Sequence, residues 1–224
     1  MTTSQRPVVR VQLPPNDAEG LLGLPEARPR GIVLFAHGSG SSRHSPRNAF
    51  VAAGLRQAGF ATLLFDLLSE REAADRANVF DIALLSGRLC EAADWTAGSA
   101  VGRSLPLGLF GASTGAAAAL MAASLRTDVR VVVSRGGRPD LAGNALARVT
   151  AATLLIVGGS DLDVLALNQL AYDRLHCVRR LDVVPGATHL FEEPGALEAV
   201  VALARDWLLQ HMTQEQAGAG HDIR

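Results

Sequence analysis

An apolar run from Leu107 to Phe110 passes directly into Gly-Ala-Ser-Thr-Gly, residues 111–115, and then into an Ala-rich stretch beginning at Ala116. A serine that attacks a carbonyl must stand on a turn sharp enough to strain its own backbone, between a strand and a helix. Gly111 and Gly115, two residues either side of Ser113, leave room where a Cβ would meet the neighbouring strand or helix. The first N–H groups of the following helix favour negative charge developing at the turn. The five-residue pattern is weak by itself; the strand before it and the small-residue helix after it make Ser113 the candidate nucleophile. The competing reading is a Gly-rich turn that binds a phosphate or nothing. A dinucleotide fold does not compete, because no G-x-G-x-x-G follows the first parallel strand.

Acyl transfer needs two N–H donors where the tetrahedral oxyanion forms. Thr114, next after the nucleophile, is expected to supply one. The run Ile32–Ala36 leads into His-Gly-Ser-Gly-Ser-Ser, residues 37–42, and Ser39 in this loop is expected to supply the other. A general base and an orienting acid should follow in chain order, on loops after later strands. Asp161 and Asp163 follow the buried run Thr153–Val157, and His189 follows Arg180–Val184. Asp161 lies nearer its strand end and is the expected partner of His189, whereas Asp163 is placed to cap the next helix. The catalytic expectation is therefore Ser113, Asp161 and His189.

Other reactive side chains fit less well. His37 is placed to brace the loop that carries Ser39, and His44 follows in the same loop. His176, His211 and His221 read as helix-end or solvated residues. No H-E-x-x-H motif and no third ligand near His37 and His44 suggest a metal, and none is expected. Cys90 and Cys177 occupy no elbow and read as inert thiols. Arg43, Arg47, Arg135 and Arg138 lie at carboxyl ends of strands, where ligands bind in open α/β sheets. Arg43 and Arg135 are the expected contacts for a substrate carboxylate or phosphate, converging beside Ser113; the alternative is pairing with Asp66, Glu70 or Asp140 within the loops.

The elements that must position these residues alternate. Strand-length runs are expected at Val8–Leu13, Gly20–Leu24, Ile32–Ala36, Ala61–Phe65, Leu107–Phe110, Val129–Val133, Thr153–Val157 and Arg180–Val184. Helical stretches are expected at Arg47–Ala58, Asp81–Thr96, Thr114–Arg126, Asp163–Leu175 and Pro194–His211. Near-continuous Val, Leu, Ile and Phe from the third run onward fits strands covered on both faces. Alternation of strand and helix predicts a parallel sheet with right-handed crossovers, and the first two runs an antiparallel edge hairpin. One domain over residues 1–212 and a polar tail over 213–224 are expected. The segment 134–151 is too short for a lid domain, which predicts a shallow pocket and short acyl groups.

Composition narrows the chemistry further. The 224 residues carry 21 basic and 22 acidic side chains, 48% hydrophobic residues and a net charge of −1. That balance leaves no electrostatic footprint for nucleic acid or an anionic membrane. Every basic residue is Arg, so a lysine Schiff base, a Ser-Lys dyad and a Walker-A lysine are excluded. Two Cys, no apolar leader in the first residues and no run of 18 apolar residues predict a cytoplasmic chain that does not enter a membrane.

Together the motifs AHGSGSSRHSPRN, GASTG, VSRGGRPD, VGGSD and GATH resemble the α/β-hydrolase superfamily, and within it small dienelactone hydrolase-like proteins, over about Val8 to His211. The resemblance implies an α/β-hydrolase fold: a three-layer α/β/α sandwich whose eight-stranded sheet is mostly parallel, with the second strand antiparallel. It also implies a Ser-His-Asp triad at Ser113, His189 and Asp161. Dienelactone hydrolases proper carry Cys at the elbow centre, where this chain has Ser113. The function expected is a serine hydrolase of a small carboxylic ester, lactone or thioester, with no cofactor. The alternatives are an acyltransferase or peptidase on the same fold, or a non-catalytic ligand-binding scaffold.

Overall fold

The computed structural model describes residues 7–14 and 18–212; the tail over 213–224 and His221 lie outside the described residues. Eight strands form one sheet: β1 (Val9–Leu13), β2 (Ala18–Gly23), β3 (Ile32–Ala36), β4 (Ala61–Phe65), β5 (Leu107–Ala112), β6 (Val129–Arg135), β7 (Ala152–Gly158) and β8 (Arg179–Val184). Their spatial order is β1-β2-β4-β3-β5-β6-β7-β8. β2 runs antiparallel to both β1 and β4, and every other pairing is parallel. This is the sheet expected from the sequence, including its antiparallel edge hairpin.

The helices are α1 (Pro46–Gln57), α2 (Glu70–Ala73), α3 (Arg76–Phe80), α4 (Ile82–Gly98), α5 (Thr114–Leu125), α6 (Leu162–Arg174) and α7 (Ala196–His211), with a 3₁₀ segment at Pro139–Arg148 that kinks at Gly143. Alternate residues of the central strands enter two separate cores. Ile32, Leu34 and Ala36 of β3 join the core under α4 and α5, while Val33 and Phe35 join the core under α1 and α7. Burial of both faces is what a parallel sheet between helical layers requires. Nine residues of α5 are buried, most of them Ala, so this helix lies close against the sheet behind Ser113.

Register brings the strand ends to one edge. Ala36 lies opposite Gly111, Ala112 opposite Arg135 and Gly158 opposite Val184. The loops that carry Ser39, Ser113, Asp161 and His189 therefore all leave the sheet at its carboxyl edge, where crevices form in such sheets.

Candidate active site

Ser113 bridges β5 and α5 with φ 52° and ψ −123°. A positive φ is strained for any residue with a Cβ, and a non-glycine holds it only when the surroundings impose it. Here Arg138 N–H donates to Ser113 O at 3.0 Å, and Ala116 N–H donates to the same oxygen at 3.1 Å. The flanking glycines are required by contact. A Cβ on Gly115 would sit 2.2 Å from Ala36 O, and one on Gly111 would sit 2.4 Å from Ala116 Cα. Neither obstacle is a flexible side-chain end, so Gly115→Ala is expected to destabilise the fold by about 1–3 kcal/mol. A denaturant titration checks this through a lower midpoint at unchanged slope.

The loops after β7 and β8 are tied together by their backbones. Ser160 N–H donates to Ala187 O at 2.9 Å, and Gly159 N–H donates to Val184 O at 2.8 Å. The loops meet closely because Gly158 has no Cβ, which would otherwise lie 2.3 Å from Ala187 O. Across this seam His189 Nδ1 lies 2.7 Å from Asp161 Oδ2. Asp161 occupies the N-cap position of α6, yet its side chain makes no cap bond. Its carboxylate is turned to the imidazole instead. The expected cap at Asp163 is corrected here: α6 starts at Leu162, and Asp163 lies inside its first turn. Ser113 and His189 line a common cavity of about 220 Å³ with Ser39, Arg47 and Arg135.

The expected oxyanion donors are differently placed. Thr114 is the first residue of α5, where the N–H has no acceptor within the helix. The Ser39 N–H, by contrast, donates to Thr114 Oγ1 at 2.9 Å. Ser39 can serve an oxyanion only by exchanging that hydroxyl for the substrate oxygen. Its loop runs past Ser113, since a Cβ on Gly38 would lie 2.8 Å from Ser113 Cβ. His37 braces the loop from behind: Leu67 N–H donates to its Nε2 at 3.2 Å, and its Nδ1 lies 3.0 Å from Gly38 O. Those partners suit a neutral imidazole protonated on Nδ1.

The arginines separate. Arg43 donates its guanidinium to Asp66 and Glu19, and its N–H to Asp66 Oδ1 at 2.6 Å. It therefore does not converge with Arg135 beside Ser113, and the expected substrate contact at Arg43 gives way to an ion pair between the loop, β2 and the end of β4. Arg138 pairs with Asp140 in the same manner. Arg135 remains in the Ser113 cavity, 7% exposed. A larger cavity of about 710 Å³ lies across the Gly38–Ser41 loop, walled by Arg43, Asp66, Glu72, Arg88 and Thr114. The expected shallow pocket is thus accompanied by a second chamber, enclosed in part by α2, a helix not among those expected. Its one helical signal is Ser69 and Glu72, which form a reciprocal capping box.

Among the described residues no group of three or more His, Cys, Asp or Glu is arranged to hold a metal ion. No helix of the described residues is long and apolar enough to cross a membrane. Cys90 lies within α4, where burial pushes its thiol up.

No family model matches the chain. A dienelactone hydrolase from Anabaena variabilis, known from a crystal structure, is 51% identical with a TM-score of 0.87, over 93% of this chain and 98% of that one. A lidless α/β serine hydrolase from Xanthomonas campestris shares the fold at 21% identity and a TM-score of 0.74, over 94% and 96% of the two chains. Proteins of two Mycobacterium tuberculosis strains, provisionally named phosphoribosyl transferases, are 60% identical over 91% of this chain. This chain spans 46% of their length.

Proposed function

Because this chain belongs to the dienelactone hydrolase family of α/β hydrolases, we propose that it is a serine hydrolase that cleaves a small carboxylic ester, lactone or thioester through an acyl-enzyme. The observation that carries this reading is the 2.7 Å contact between His189 Nδ1 and Asp161 Oδ2 at the cavity that Ser113 also lines. A proton held on Nδ1 by the carboxylate leaves the Nε2 lone pair to accept a proton from Ser113 Oγ. The freed alkoxide adds to the substrate carbonyl. The oxyanion is received by the Thr114 N–H and by the Ser39 N–H once it leaves Thr114 Oγ1. His189 then returns the proton to the leaving alcohol or thiol, and water repeats the sequence on the acyl-enzyme to release the acid and restore Ser113.

Serine in place of the cysteine of dienelactone hydrolases proper keeps both half-reactions. A hydroxyl depends more than a thiol on its base, since a thiol is already partly ionised at neutral pH. That dependence suits a His–Asp pair held by two tied loops. The transferase name of the mycobacterial relatives belongs to proteins about twice as long as this chain, and the hydrolase proposed here is the part that they share.

A p-nitrophenyl ester series tests the reaction class. The acetate and butyrate should be hydrolysed with an initial burst of one nitrophenolate per Ser113, and faster than the dodecanoate, because the cavity at Ser113 is only about 220 Å³. Absence of turnover on all of these and on a matched thioester and lactone would leave a ligand-binding scaffold as the better reading.

A further inference from the structure

Arg135 ends β6 and is buried on the side of the sheet covered by α1 and α7, 7% exposed. Its Nη2 is 3.5 Å from Asn48 Oδ1, a long contact with a neutral group. Its Nε and Nη1 are buried with no hydrogen-bond acceptor among the described residues. No carboxylate pairs with it among those residues, although Arg43, Arg88, Arg126 and Arg138 each pair with at least one. The guanidinium carbon lies 5.8 Å from the ring centre of Phe191, a buried residue held at φ 57°. A ring face steadies a cation without neutralising it.

Arg47, in the first turn of α1, lines the same cavity. Its Nη1 donates to the exposed Glu192 at 3.0 Å, while its Nε is buried without an acceptor. Burial, and then the charge on Arg47, push the Arg135 guanidinium down to about 10, so it remains a cation at neutral pH. Two cations therefore face one cavity with unused donors, an unfavourable arrangement unless an anion enters.

The count of donors selects the anion. Arg135 Nε offers one proton, its Nη1 two and Arg47 Nε one, presented from two side chains. A carboxylate fills a single guanidinium fork. A phosphate monoester has three oxygens and nearly two negative charges, and so answers both cations. The 12-residue α1 begins at the same cavity, which Ser45 and Asn48 also line, and its N-terminal end adds to the positive potential.

We propose that Arg135 and Arg47 form a phosphate seat beside Ser113, and that the substrate is a carboxylic ester, thioester or lactone carrying a phosphate monoester. The substrate class rests on the hydrolase reading above; the seat does not. The phosphate is a handle only. The acyl C–O or C–S bond breaks, water supplies hydroxyl to the acid and a proton to the leaving group, and the P–O bonds stay intact.

The test compares acetoxyethyl phosphate with neutral methoxyethyl acetate and with acetoxypropanoate. The wild type should prefer the phosphate ester. Arg135→Gln should lower the ratio of kcat/KM on the phosphate ester to that on the neutral ester by roughly 10- to 150-fold, and Arg47→Gln should lower it by a smaller factor. An equal loss on both esters would overturn the proposal, since Arg135 would then act on the reaction or on folding. A preference for acetoxypropanoate as strong as that for the phosphate ester would overturn the choice of phosphate.

Inorganic phosphate supplies a readout that needs no catalysis. It should raise the Tm of Ser113→Ala and leave that of Ser113→Ala/Arg135→Gln unmoved. In phosphate-free buffer Arg135→Gln should melt at or above the wild type, because a buried unpaired charge has gone. A phosphate-dependent Tm without turnover of any ester would keep the seat and remove the hydrolase reading. Turnover of neutral esters with neither a Tm response nor a phosphate preference would remove the seat alone.

Discussion

Replacing Ser113 or His189 with Ala is expected to lower kcat on any ester substrate by roughly 10⁴–10⁶ while the far-UV spectrum and melting behaviour stay near those of the wild type. The size follows from the loss of the acyl-enzyme route: without Oγ there is no nucleophile, and without the imidazole the hydroxyl keeps its proton. The double variant should be little worse than either single one, because the two side chains act as a unit. The residual rate should still exceed the uncatalysed one through the Thr114 N–H and substrate binding. Ser113→Ala should also relieve none of the elbow strain, since Ala keeps the Cβ at φ 52°. Additive losses from the two changes, or substantial turnover by Ser113→Ala, would contradict the assignment.

Asp161→Asn is expected to lower kcat by roughly 10⁴. The replacement is nearly isosteric, so the loops after β7 and β8 should remain tied. An amide can, however, donate to Nδ1 and leave the proton on Nε2, the nitrogen that must accept from Ser113. Asp163→Asn should lose only about 0.3–1 kcal/mol of stability, the worth of an exposed first-turn carboxylate at a helix N-terminus. Its activity should stay near that of the wild type, as Asp163 is exposed and it is the Asp161 carboxylate that meets His189 Nδ1. Steady-state kinetics of the two variants side by side give the ranking, and the reverse order would move the acid role to Asp163.

Much of the sheet was legible because burial on both faces leaves a compositional trace. β3 and β4 have the expected bounds, and β5 extends two residues beyond expectation because Gly111 remains paired with both β3 and β6 and Ala112 with β6. Ser113, Asp161 and His189 are proposed from loop position after identified strands, which depends on chain order rather than on long-range contact; the structure places Asp161 against His189 and lines one cavity with His189 and Ser113. The N-cap position of α6 falls at Asp161, two residues before Asp163, and that offset decides whether a carboxylate stands at the cap or lies in the first turn. The arginines show a different limit. Arg43 lies in the loop after β3 and Arg135 is the last residue of β6, so both follow from strands that end at the same sheet edge. Whether a carboxylate reaches them depends on Glu19 and Asp66, from β2 and just beyond β4, which the sheet brings to Arg43 and not to Arg135. No local signal marks Phe191 at positive φ, or the second chamber behind the Gly38–Ser41 loop.

The central claim is that Ser113 is a nucleophile activated by His189, and a covalent adduct tests it most directly. The purified chain would be treated with a fluorophosphonate at neutral pH, digested and mapped by mass spectrometry. The account predicts stoichiometric modification of Ser113, with labelling slowed by several orders of magnitude in His189→Ala and absent in Ser113→Ala. Unlabelled protein, or an adduct on another residue that persists in Ser113→Ala, would contradict it.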